Sequence, residues 1–303
     1  MPLNPEIRHP GPVSPDRDTR APARVQPISF SIAPGQTVEE GLARGLRAAG
    51  CDSAYVEMSA APLAPFAFVM PAPSPDDSHA AWYSPTIAHP AATVLRAGAI
   101  VGWREGAPFV HCHGSWQAEG GPVEMGHLLC PDSRAAAEIA VQGIGLTGGA
   151  FVSREDAETC FRLFAAEPMG MSPPRPRALA VTLKPNTDVP TALAAICREA
   201  GWRRARIRGI GSLNGAVFDD APPMHSFASE FLVLDGRYDA PQEAGEGNAE
   251  EVGAARLRIA IVDVDGAIFE GWLVPGECPV CVTCEFVLTE EDGAPPVGQG
   301  ATT

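Results

Sequence analysis

Apolar residues recur along this chain at two spacings, every second position and every third or fourth. The switch between them happens twice, in the same way. Residues 27–56 (PISFSIAPGQTVEEGLARGLRAAGCDSAYV) align without gaps to residues 178–207 (ALAVTLKPNTDVPTALAAICREAGWRRARI), with Pro34 on Pro185, Val38 on Val189, Leu42 on Leu193 and Gly50 on Gly201. Each segment predicts a strand, a Pro-marked turn, an amphipathic helix, a glycine stop and a second strand. Val38, Leu42 and Leu46 fall on one helical face, and Gly50 stands where a left-handed helix cap is expected. Later segments correspond as well. TVLRAGAIVGW in the first copy resembles FLVLDGRYDA in the second, and a hairpin pattern reappears as ARLRIAIVDVDGAIFEGWL, whose Asp265-Gly266 is a strong turn signal.

The first copy's hairpin carries the candidate chemistry. Pro108 to Trp116 predicts a strand, Gln117 to Pro122 a turn and Val123 to Leu129 the return strand. Residues two apart on a strand share a face, so His111 and His113 project together while Cys112 faces away. A turn centred on Gly120 puts His127 opposite His113, with Cβ atoms roughly 4.5–5.5 Å apart. Three imidazoles then converge, which suits zinc or a similar divalent transition metal with a fourth position left open. The alternative is ordinary polar residues on a half-buried sheet. In the second copy the three positions are Arg256, Arg258 and Trp272. Arginine stays protonated and does not serve as a ligand there; loss of a shared metal explains all three changes in one step, and drift between duplicated copies is the alternative.

The repeats divide the chain into an N-terminal arm (1–22), a first domain (23–166), a linker (167–177) rich in proline, a second domain (178–289) and a tail (290–303). Arm and tail lack periodicity and are expected to be disordered. The acidic stretch Gln242 to Val252 reads as a solvated loop inserted in the second copy. With 303 residues and 45% apolar content, two ordinary cores are affordable. A net charge of −15 argues against nucleic acid as a partner, since phosphate affinity needs clustered Lys and Arg. No apolar run spans a bilayer, and the first residues lack the apolar core of a signal peptide. A soluble cytoplasmic protein is the expectation. Cys278, Cys281 and Cys284 look like a cluster motif, but in a strand Cys281 and Cys284 face opposite sides, so they read as small buried hydrophobes.

The order of these signals resembles the PCC domain, the domain conserved between plants and prokaryotes. The first copy supplies Pro34-Gly35, Gly98, His111-Cys112-His113 and Gly126-His127. The second supplies Gly209-Ile210-Gly211-Ser212, Gly236, Asp265-Gly266 and Gly271. The resemblance implies an α/β fold of α+β type: two tandem copies, each a mixed, largely antiparallel sheet packed with a helix. It also implies a homotrimer with sites near subunit interfaces. In plants the domain accompanies AT-hooks. This chain has no Arg-Gly-Arg-Pro core; its nearest fragment is Pro174-Arg175-Pro176-Arg177.

Two function classes follow. The first is a metal-dependent enzyme acting on a small anionic oxo or carboxylate compound by lyase or hydrolase chemistry. Its candidate acid–base residues are Glu57, in place of a glycine-rich family segment, and Glu124, three residues before His127 and on the opposite face of an ideal strand. Arg96 and Arg104 flank the feeding strand and are candidates to grip a carboxylate. Ser115 and Trp116 follow the histidines and are candidates to line the pocket. A long Pro-rich loop holding His79 and His89 is a candidate cover. The second class is a non-catalytic binding or regulatory module, a small-molecule sensor rather than a DNA binder.

Overall fold

The structure is a computed structural model and describes residues 3–171, 175–241 and 253–291. The first copy runs β1 (Asp18–Ile32), α1 (Val38–Ala48), β2 (Ser53–Leu63), then a small insertion of β3 (Phe66–Val69), β4 (Pro71–Ala72), β5 (Trp82–Tyr83) and β6 (Ile87–His89). It continues through β7 (Ala92–Arg104), β8 (Ala107–Ala118), β9 (Val123–Leu128) and β10 (Ile139–Thr147), and ends on a hairpin of β11 (Gly149–Glu155) and β12 (Arg162–Pro168). The second copy runs β13 (Ala178–Leu183), α2 (Val189–Glu199), β14 (Arg204–Leu213), β15 (Ser229–Asp239), β16 (Ala254–Asp263), β17 (Ile268–Trp272) and β18 (Val280–Glu290).

Strand order makes the duplication explicit. The first copy is ordered β1-β10-β2-β7-β8-β9 and the second β13-β18-β14-β15-β16-β17, one pattern used twice within a continuous, nearly all antiparallel sheet. The expected α+β architecture in two copies is what the chain adopts. The helices begin as the residues dictate. Thr37 and Glu40 exchange side-chain and backbone hydrogen bonds at the start of α1, and Asp188 accepts from Thr191 N at the start of α2. Such caps contribute about 1 kcal/mol each. Gly50 and Gly201 both adopt φ near +60° to +75° (63° and 73°) just beyond the helices, the conformation that favours glycine.

Each helix covers one face of its own sheet. Val38, Leu42 and Leu46 pack with Val56, Val101 and Cys112; Val189, Leu193 and Ile196 pack with Ile207, Phe231 and Phe286. The opposite faces meet each other. Tyr55, Ile100, Met125 and Leu146 of the first copy share one apolar cluster with Ile210, Leu232, Val262 and Val287 of the second. The layers therefore stack as helix, sheet, sheet, helix, with the two copies pressed together.

The N-terminal arm departs from expectation. Asp18 to Ala23 extend β1 beyond the repeat and pair antiparallel with Leu183 to Ala178 of β13, joining the two halves of the sheet. Upstream, the Asn186 side chain donates to Ile7 O and accepts from Ile7 N, both at 2.9 Å, and His9 Nε2 meets Cys281 O at 2.8 Å. Arg17 pairs with the buried Glu158. The arm lacks periodicity because its partners are tertiary, not because it has none. The acidic loop 242–252, part of the linker (172–174) and the tail from 292 lie outside the described residues; Glu290 still belongs to β18.

Candidate metal centre

The histidines sit where strand periodicity and hairpin register put them. In β8, His111 and His113 point toward the second copy, while Cys112 is buried in the first copy's own core. His113 pairs directly with His127 across β8 and β9, through a turn in which Gly120 has φ 69°. Ring centroids are 4.6 Å apart for His111 and His113, 4.9 Å for His111 and His127, and 5.5 Å for His113 and His127. One ligand nitrogen from each ring lies within 4.8 Å of the other two.

The hydrogen bonds assign the tautomers. His113 Nδ1 lies 3.0 Å from Phe231 O, a pure acceptor, so Nδ1 carries the proton and donates. His111 Nδ1 lies 2.6 Å from Glu285 Oε2, the carboxylate–histidine pairing that orients metal ligands. Both outer nitrogens are thus committed to the second copy, and the two Nε2 atoms face each other at 3.0 Å. Ligand nitrogens of a tetrahedral zinc site, with bonds of roughly 2.0–2.1 Å, stand about 3.3 Å apart. A single proton between the Nε2 atoms would satisfy that pair alone. It would leave the third ring unserved, and His127 Nδ1 is buried without a partner among the described residues. Burial holds His113 and His127 in the neutral form that a ligand needs, His127 down to about 3, and His111 adds to both shifts. The residues fit an imidazole-favouring cation.

A cavity of about 50 Å³, open to solvent, is lined by His111 and His113 of this cluster. The Pro-rich loop roofs it with Ala81, Trp82 and Tyr83, and Phe161 of the first copy's terminal hairpin adds to the wall. His79 packs at 4.4 Å against both Trp82 and Phe161, which braces the roof. The second copy supplies Ser212, Ser229, Glu230 and Cys281. Ile7 of the arm packs on Ala81, Ala228 and Cys281 from behind. Tyr83 keeps 38% of its surface exposed, yet burial around its hydroxyl, with Glu230 and Glu285 adding, pushes the phenol up.

The other sequence candidates lie elsewhere. Glu57 occupies the same cross-strand row as His113, through Gly98, but is exposed in a separate hollow. Leu232 and the Tyr55 hydroxyl fill the space over Gly98 between them; a Cβ there would come within 2.5 Å of both. Glu124 faces away from His127 and pairs with His89 at 2.8 Å. Arg96 pairs with Glu270 at 3.0 Å, and Arg104 lies over the Phe109 ring. Trp116 is fully buried against Phe66 and Phe68, on the face opposite the histidines. Ser115 shares the histidine face but pairs with Arg96 and Met125, beyond the cavity lining. At the sister position, Arg256 stacks on Trp272 and Arg258 pairs with Glu270, as ordinary surface ion pairs do.

Two carboxylates outside the sequence candidates, Glu230 and Glu285, reach the cluster from the second copy. A signal was present. Each is a lone carboxylate inside an otherwise apolar strand, in SEFLVL and TCEFVL, and such residues are almost never fully buried without a reason. Replacing Glu285 with Gln should weaken metal binding roughly 10–100-fold, the usual effect of removing an outer partner of a ligating histidine. Competition titration with a chromophoric chelator reads this directly; unchanged affinity would show that the His111 contact is incidental.

Residues 171–292 match the family model of the Plants and Prokaryotes Conserved (PCC) domain. That is the copy without the histidines. No curated protein matches the chain. Among solved structures, it resembles a plant- and prokaryote-conserved (PPC) protein of Pyrococcus horikoshii, at 16% identity and TM-score 0.39, over 49% of this chain and 96% of that one. It also resembles a metal-containing protein of Archaeoglobus fulgidus, at 18% identity and TM-score 0.38, over 48% and 96%. A third similar structure, from Ralstonia eutropha JMP134, carries DNA binding in its name as a supposition, at 15% identity and TM-score 0.33, over 45% and 89%.

Proposed function

We propose that this PCC-domain protein is a metal-dependent enzyme of lyase or hydrolase type, acting on a small anionic oxo or carboxylate compound. One observation carries the reading. Two imidazole Nε2 atoms at the floor of a cavity face each other at 3.0 Å with their outer nitrogens already bonded, beside a third, half-buried ring whose Nδ1 is buried. His111, His113 and His127 would hold the ion, zinc or a similar divalent transition metal. When bound, such an ion supplies a Lewis acid for a carbonyl and an acidified water near neutral pH.

The surrounding residues define what enters. Among the described residues no Lys or Arg lines the cavity, so attraction for an anion comes from the ion itself. Glu285, behind His111, offsets one of its two charges, which leaves room for a single negative charge on the ligand. Trp82, Tyr83 and Phe161 wall the cavity with aromatic surface. The Ser212 and Ser229 hydroxyls on the cavity wall are engaged with backbone of β18 and β14 and brace the wall.

All eight cysteines are free, which suits a reducing compartment and our placement of the protein in the cytoplasm. Among the described residues, no helix is long and apolar enough to cross a membrane. The homotrimer expected from the family resemblance is part of the same proposal.

Elemental analysis of the purified protein, together with its mass in solution, tests the reading. About one transition-metal ion per chain is expected, one for each intact histidine cluster. Chelation should then stop turnover of a responsive small oxo acid or ester while leaving the oligomer intact. A metal-free preparation that gains no metal on incubation with zinc would overturn the proposal. Dissociation of the oligomer on chelation would make the ion structural.

A further inference from the structure

The second copy has lost its histidines, yet it still faces the first copy's cluster with two carboxylates. β15 alternates strictly: Phe231 and Val233 enter the second copy's own core, so Glu230 and Leu232 face the first copy. β18 does the same, with Cys284 and Phe286 inward and Glu285 and Val287 toward the first copy. Glu285 is committed to His111. Glu230 makes no such pairing among the described residues. It is 4% exposed, it lines the cavity with His111 and His113, and its Oε2 is buried with no hydrogen-bond partner among the described residues. Its backbone is held in place, because the carbonyl of the next residue, Phe231, accepts the His113 Nδ1 proton.

An ionised carboxylate in this position would lose several kcal/mol of hydration with no donor to replace it. In the metal-free site the neutral acid is therefore favoured, and burial pushes the carboxyl well above the usual carboxylate range. A buried neutral carboxyl aimed into a cavity is a proton donor waiting for an acceptor. Other groups around the cavity are less suited. Glu285 is spent on His111, Ser212 and Ser229 are weak acids, and burial makes the Tyr83 phenol harder to ionise.

We propose that Glu230 is the acid of this centre, donating its proton to the oxygen that leaves a small O-acyl substrate. The inference rests on the metal-centre reading and names the substrate class for it. The cavity, about 50 Å³, holds only a few water-sized groups, which limits the substrate to a compact acyl compound whose remainder extends into solvent. The step balances as a hydrolysis. Water's oxygen forms the new bond to the acyl carbon. The bond from that carbon to the departing oxygen breaks with its electron pair on the oxygen, which takes the Glu230 proton. A proton from the attacking water restores the acid, and the products are a carboxylic acid and an alcohol. The second copy thus contributes the acid while the first contributes the cation ligands, and neither copy alone completes the site.

Two measurements on the full chain test this. Infrared spectra near pH 7 should show a neutral-carboxyl stretch that disappears in Glu230→Gln. Titration of the zinc-loaded protein with acetate, a minimal acyl-oxygen probe, should give affinity reduced about tenfold or more in Glu230→Ala, and within about threefold of wild type in Glu230→Gln, whose amide still donates. Zinc content should be unchanged in both variants, which separates the role of Glu230 from a folding defect. Zinc present with the carboxyl band missing, or acetate affinity in Glu230→Ala matching wild type, would overturn the Glu230 assignment alone. Zinc absent from the wild type would sink the metal reading, and the acyl hydrolysis with it.

Discussion

His113→Ala is expected to purify essentially free of metal while keeping its fold. His113 stands beside His111 and directly opposite His127, and is 2% exposed. Removing an outer partner of a metal ligand already costs 10–100-fold, so removing the ligand itself should cost more than roughly 100-fold. The stability cost is smaller. The substitution orphans Phe231 O, a penalty of about 1–3 kcal/mol, against a total stability of about 5–15 kcal/mol for an ordinary domain. Metal content by mass spectrometry and secondary structure by circular dichroism decide the matter together. Full metal occupancy in the variant would mean that the three rings do not share an ion.

Leu232→Ala should destabilise the whole chain by about 2–5 kcal/mol, the range for truncating a buried leucine. Leu232 is 4% exposed and sits in the cluster shared by the two copies, against Gly98. Because that cluster joins the copies, urea unfolding of wild type should be one transition, and the variant should shift its midpoint without splitting it. A biphasic wild-type curve, with only one phase moved, would show two domains that merely touch. The cooperative outcome has a chemical corollary. The inter-copy face carries both Glu285 to His111 and Phe231 O to His113, so loosening it should also weaken metal binding.

The local rules of the chain carried the reading a long way. A strand's period of two placed His111 and His113 on one face, and hairpin register placed His127 opposite His113. Both rules involve residues within one supersecondary unit, so no distant contact is needed to apply them. The helices, their caps and the repeat were legible for the same reason. Glu57 shows where such rules stop. It does share a row with His113, but Leu232, more than 170 positions away in sequence, fills the space between them. Glu124 and Trp116 were assigned by proximity along the chain, although the alternation of the strand sends both to the far face.

The amino-acid sequence by itself determined the duplicated scaffold and the three imidazoles on one hairpin, because turn chemistry and side-chain alternation act over a few residues. Only tertiary structure decided what surrounds those imidazoles. The ordered arm, the aromatic roof and the carboxylates of Glu230 and Glu285 come together through packing between copies. No periodicity encodes which of two apolar faces will meet; that is set by the burial of surface across the finished molecule.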